Sequence, residues 1–100
     1  MKPTLILIAD DHVLIAEMWS ALLSSKDKYE VIDKVNSCSQ LKEAIPRLHP
    51  DIVLLDIVLS DGSSLDILPA LKTESPDTKF LAVSAYTDLA TIKRSFAVAM

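Results

Sequence analysis

The segment Leu5-Ile-Leu-Ile-Ala-Asp-Asp-His12 constrains the fold most, because an unbroken apolar run ends on two adjacent carboxylates. A run of this length, rich in Ile and Leu, reads as a strand covered on both faces, as in a parallel sheet. Asp10 and Asp11 then stand where that strand ends, at the carboxyl edge where open α/β sheets keep their ligand sites. The pattern recurs at Asp51-Ile-Val-Leu-Leu-Asp56, a second buried-looking strand that terminates in an acid. Two strands thus deliver three carboxylates to one edge, an arrangement suited to a hard cation.

Strand and helix signals alternate along the chain. Residues 4–9 read as the first strand. Over residues 13–23, Ile15, Met18, Trp19 and Leu22 recur at helical spacing, and Leu14 and Leu23 widen the apolar arc. So wide an arc predicts a helix wedged between a sheet and a neighbouring helix, with Asp11 placed to cap its start. Residues 29–36 read as an edge strand, with Tyr29, Val31 and Val35 on one face and a mixed opposite face. Ser37-Cys-Ser-Gln40 resembles a capping box that opens a helix through about residue 48, short or bent because Pro46 removes a donor.

Residues 51–56 form the third strand. Leu59-Ser-Asp-Gly-Ser63 is turn chemistry, and Gly62 is the chain's one glycine, free to take positive φ cheaply. A short helix over 65–72 carries Pro69, a fourth strand covers 79–83, and a fourth helix covers 88–98 with Asp88 near its cap. This β-α order predicts right-handed crossovers and a doubly wound parallel α/β sheet.

The chain has 100 residues, enough for one domain, and half of them are hydrophobic, so a genuine core is expected. A net charge of -4 without a basic cluster excludes nucleic-acid binding by this segment alone. No apolar run is long enough to span a bilayer, and the opening residues lack the pattern of a signal peptide, so no membrane partner is expected. Cys38 stands alone, which excludes an internal disulfide and predicts a reducing, cytoplasmic setting with the thiol as a small apolar side chain.

Three carboxylates in one small site repel one another unless a cation neutralises them. Oxygen-only donors suit Mg²⁺, and such a site supports phosphoryl transfer in which a carboxylate attacks in line. Asp56, ending the central strand, is the natural nucleophile. Ser84 ends the fourth strand on the same edge, where its hydroxyl reaches toward a phosphoryl oxygen. Other residues have plainer readings. Asp61 beside Gly62 is a turn residue, and His49 before Pro50 is a surface one. His12, as the first residue of a helix, is read as a packing or solvent-facing side chain rather than a ligand. Ser63 and Ser64 begin a helix.

Here the residues carry a family resemblance. Ile-Ala-Asp10-Asp11-His12, Val-Leu-Leu-Asp56-Ile-Val-Leu-Ser-Asp-Gly62 and Leu-Ala-Val-Ser84-Ala resemble the receiver domain of two-component response regulators. The Asp-Asp-His opening with Leu-Ser-Asp-Gly after the acid is most similar to the LuxR-type subfamily, whose receivers normally precede a helix-turn-helix domain. The resemblance implies a flavodoxin-like fold of strand order two-one-three-four-five. It implies that Asp56 accepts a phosphoryl group from a sensor histidine kinase and that the chain is a switch rather than an enzyme. Asp11, Asp56 and the backbone carbonyl of Val58 would ligate Mg²⁺, Asp10 would hold it through water, and Ser84 would be the switch hydroxyl. Val58 and Tyr86 would tune the access of water to the acyl phosphate. Homodimerisation and DNA binding would follow through a downstream output domain.

The family also places a lysine after strand five and an aromatic switch residue on that strand, and both would fall beyond Met100. Lys93 and Arg94, on a helix, are no substitute. The chain is therefore expected to be incomplete at its C-terminal end, lacking strand five and helix five; if whole, it should dimerise or swap. Two competing readings remain. One is a degenerate receiver acting only as an interaction platform. The other is a haloacid-dehalogenase-type phosphatase, against which the adjacent acids and the third-strand nucleophile both argue.

Overall fold

The structure, a computed structural model, describes residues 2–83. Ser84, Tyr86 and the helix expected over 88–98 lie outside the described residues. The elements run β1 (Thr4–Ala9), α1 (Val13–Ser24), β2 (Tyr29–Val35), α2 (Cys38–Leu48), β3 (Ile52–Asp56), β4 (Val58–Leu59), β5 (Gly62–Ser63), α3 (Ser64–Glu74) and β6 (Lys79–Val83). Four strands form a parallel sheet in the order β2-β1-β3-β6, which places β2 at an edge as its mixed pattern predicts. Over the described strands this matches the order expected of a flavodoxin-like sheet.

Alternation along each strand assigns the helices to the two faces. Ile6 and Ile8 of β1 and Leu54 of β3 pack against Ala16 of α1, with Trp19 and Leu23 at the margin. Leu7, Ala9, Val53, Leu55 and Phe80 point the other way, onto Leu41, Ala44 and Ile45 of α2 and Leu68 and Leu71 of α3. Leu7, Val53 and Leu55 are wholly buried, so β1 and β3 form the centre of the described sheet and fix where their last residues emerge. Among the described residues no helix is long and apolar enough to cross a membrane.

Several local expectations change. The apolar side chains of β2 do not share one face. The pairing with β1 skips Ile32, running Val31 to Ile6 and then Asp33 to Leu7. A bulge of one residue reverses side-chain parity beyond it. Tyr29 and Val31 therefore face α1, whereas Val35 joins the opposite core. Only Ala16 of α1 is buried, and Val13, Leu14, Met18 and Leu22 are exposed, so the helix uses less of its apolar arc than its width suggests. Asp11 does not cap α1: the N-cap residue is His12, which makes no side-chain cap bond.

Around α2 the capping box forms with a variation. Ser37 Oγ accepts from the Gln40 amide at 3.1 Å, while Gln40 Oε1 accepts from the amide of Asn36, one residue before the cap. Pro46 does not cut α2 short. The helix continues to Leu48 and closes at His49, whose φ of 49 places it in the left-handed region and whose amide donates to Ile45 O at 2.9 Å. The turn over 59–63 contains a small antiparallel ladder, Val58 to Ser63 and Leu59 to Gly62, and Gly62 has φ +145. Its helix, α3, is longer than expected and passes through Pro69 to Glu74.

Candidate metal centre

The acids are positioned by the ends of the two central strands. Asp10 follows β1 directly, and its amide donates to Val35 O at 3.0 Å, extending the sheet by one bond. Its Oδ1 accepts from the His12 amide at 2.8 Å, a local turn that bends the chain back over the strand end. Asp56 is the last residue of β3. Its carbonyl accepts from Ser64 Oγ at 2.6 Å, and the same hydroxyl reaches Ile57 O at 3.1 Å. Ser64 is fully buried, so the start of α3 clamps the backbone on which the Asp56 side chain stands.

One potential ligand atom from each of Asp10, Asp11, His12 and Asp56 lies within 4.8 Å of the others. Asp10 is 6% and Asp56 4% exposed; Asp11 is intermediate. Among the described residues, the buried oxygens Asp11 Oδ1 and Asp56 Oδ2 accept no hydrogen bond. Buried carboxylate oxygens without donors are costly unless a cation faces them. The three carboxylates of this set, multiply anionic and with two unsatisfied oxygens, fit Mg²⁺ on chemical grounds.

The electrostatics agree. Burial, then the charge of Asp10 and a hydrogen bond with it, push the Asp56 carboxyl up from 3.8 to about 6, against the Val58 amide and His12, which favour its ionised form. The hydrogen bond to Asp10 holds the His12 imidazole above its ordinary value, with the Asp11, Asp10 and Asp56 charges adding to it and burial opposing.

The structure thus brings together the three acids read from the sequence. Val58 lies two residues on, exposed in β4. Ser84 falls outside the described residues. His12, the N-cap residue, is solvent-facing as read, with its side chain 55% exposed, and its Nδ1 also approaches all three carboxylates. Its only sequence signal was adjacency to the acids.

Asp61 also does more than turn the chain. Its carboxylate accepts from the amides of Cys38 at 2.6 Å and Ser39 at 3.1 Å, satisfying free donors at the N-terminus of α2. The Cys38 amide is the main cause of its pKa falling to about 2, with the Ser39 amide and both side chains adding to it against burial. Burial, then Asp61, raises the Cys38 thiol, consistent with an inert apolar role.

The chain matches the family model described as response regulator receiver domain over residues 6–100. It is 32% identical over 84 residues to the oxygen regulatory protein NreC of Staphylococcus carnosus, covering 83% of this chain and 39% of that protein. It is 35% identical over 74 residues to a protein-glutamate methylesterase/protein-glutamine glutaminase of Rhizobium etli, covering 74% of this chain and 21% of that protein. The chain therefore spans well under half the length of these relatives. In fold it is similar to the signal receiver domain of the response regulator NarL from Mycobacterium tuberculosis, with a TM-score of 0.84 at 21% identity, over 99% of this chain and 80% of that one.

Proposed function

The chain belongs to the response regulator receiver domain family, and from that membership we propose that Asp56 is a phosphoryl acceptor whose modification by a histidine kinase switches the surface of the domain. The observation that carries this reading is the buried Asp56 oxygen that accepts no hydrogen bond among the described residues and faces two further acids at the strand ends. Asp10, Asp11, Asp56 and the Val58 carbonyl would hold Mg²⁺. Bound there, the ion would offset the negative charge of the acids and of the incoming phosphoryl oxygens.

The chain's own residues do the rest. Asp56 attacks only when ionised, and with a pKa of about 6 most of it is ionised at neutral pH even before a cation is bound. Ser64 and the Val58 amide fix its backbone and carboxylate, so the nucleophile needs little ordering before attack. Ser84 would meet the phosphoryl group and transmit its presence. Val58, apolar and exposed two residues after the acceptor, would keep water from the acyl phosphate. Val58→Asn is therefore expected to shorten the phosphorylated lifetime several-fold, measured by decay of the phosphorylated mass.

The chain is read as a signalling module rather than an enzyme, acting in the cytoplasm. DNA binding would belong to an output domain outside these residues. Homodimerisation is supported by the exposed apolar residues Leu14, Met18 and Leu22 along α1.

The test is phosphorylation with a small-molecule phosphodonor, with and without Mg²⁺, followed by intact mass. One added phosphoryl group in the wild type, dependent on Mg²⁺ and absent in Asp56→Asn, is expected. Equal labelling of Asp56→Asn would overturn the assignment. No labelling under any condition would favour the interaction-platform reading.

A further inference from the structure

His12 has no part in the function proposed above, yet it is built into the same pocket. Its side chain is 55% exposed, but Nδ1 turns inward and stands 3.1 Å from Asp10 Oδ1, 3.1 Å from Asp11 Oδ1 and 3.4 Å from Asp56 Oδ2. The His12 amide donates to that same Asp10 oxygen at 2.8 Å, so the main chain ties the residue to the acid. Two of the three facing oxygens are the buried ones that accept no hydrogen bond among the described residues, and Asp56 is 4% exposed.

These separations are those of ligands sharing an ion. An octahedral dication with bonds of about 2.1 Å keeps adjacent donors about 3.0 Å apart and opposite donors about 4.2 Å apart. The four candidate atoms lie within 4.8 Å of one another, and the ring nitrogen already stands close to adjacent-donor spacing from two oxygens. An ion entering among the acids therefore meets Nδ1 without rearrangement of the backbone.

We infer that His12 is a further metal ligand, and that it biases the pocket toward a first-row transition dication of the Mn²⁺ to Co²⁺ class over Mg²⁺. The reason is ligand type. Imidazole nitrogen binds borderline ions well and Mg²⁺ poorly, and affinity for nitrogen-containing sites rises along the series from Mn²⁺ through Co²⁺. An all-aspartate pocket lacks that preference; one with an inward imidazole has it. The inference rests on the reading of this pocket as a cation site.

The experiment compares the wild-type chain, His12→Ala and Asp56→Asn by calorimetric titration with Mg²⁺ and with Co²⁺, and by electron-spin-echo spectroscopy of bound Mn²⁺. Wild type should show ¹⁴N modulation from a directly bound imidazole. His12→Ala should lose that modulation and bind Co²⁺ about 10-fold or more weakly, with Mg²⁺ affinity not reduced. Unchanged Co²⁺ affinity in His12→Ala, or no nitrogen coupling in wild type, would overturn the role of His12 while leaving the cation site intact. If neither ion binds wild type, or Asp56→Asn binds both as tightly, the cation site itself fails and this inference with it. His12 is largely exposed, so its removal leaves the core untouched, and circular dichroism of the variant checks this.

Discussion

At the scale of single residues, two aspartates illustrate opposite uses of a carboxylate. Asp56 has a pKa raised to about 6, so in the metal-free protein its environment favours the folded state below 3.8, and that advantage is lost as pH rises through about 6. Above that range the ionised, buried carboxylate opposes folding. Asp56→Asn is accordingly expected to be more stable than wild type at pH 7 to 8 in a chelator, by about 1–3 kcal/mol, with the gap closing below pH 4. Urea unfolding across that range checks it, and an equal or lower stability at pH 8 would contradict the burial described. Asp61 runs the other way. Its pKa of about 2 lies below 3.8, so its contribution is present above 3.8 and disappears as pH falls toward 2. Asp61→Ala should lower the melting midpoint at neutral pH and flatten the loss of stability between pH 4 and 2. The acids at the strand ends were legible because each closes an apolar run. The place of His12 beside them was not, because its ring nitrogen and its own amide both meet Asp10 Oδ1, a local bend that residue type alone does not encode.

At the scale of elements, long apolar runs and capping residues were readable, and interruptions were not. The four parallel strands and three described helices fall close to where periodicity puts them, since each must bury one face or both. The bulge at Ile32 escaped because strict alternation is the only rule a strand pattern offers, and the extra residue breaks it without a Gly or Pro as a flag. The β4–β5 ladder escaped because two residues per strand carry no period at all. The end of α2 fell where expected, at Leu48, and that of α3 ran past expectation to Glu74, since each helix carries its proline while held by packed neighbours, Leu41 and Ile45 in one and Leu68 and Leu71 in the other. The bulge yields a prediction. Deleting Ile32 leaves Val31 opposite Ile6 and Asp33 opposite Leu7, so the remaining pairs keep their faces. The deletion should retain a native circular dichroism spectrum and a cooperative melt, whereas loss of the fold would mean that the bulge itself is required.

For the molecule as a whole, the pocket and the core share their supports, so occupancy and stability are linked. A cation that binds only the folded chain stabilises it by about 2.7 kcal/mol at one hundred times its Kd. Thermal melts in saturating Mg²⁺ against a chelator should differ in the wild type and coincide in Asp11→Asn/Asp56→Asn; a difference that survives in the double variant would place the ion elsewhere. The sheet order has one more implication. Because β1 is flanked by β2 and β3, it is synthesised before both of its neighbours in the sheet and waits for residues 52–56 before its second edge is paired. Until then the newborn chain displays Ile6 to Ala9 as an open template, an interval in which a holding chaperone would find its grip.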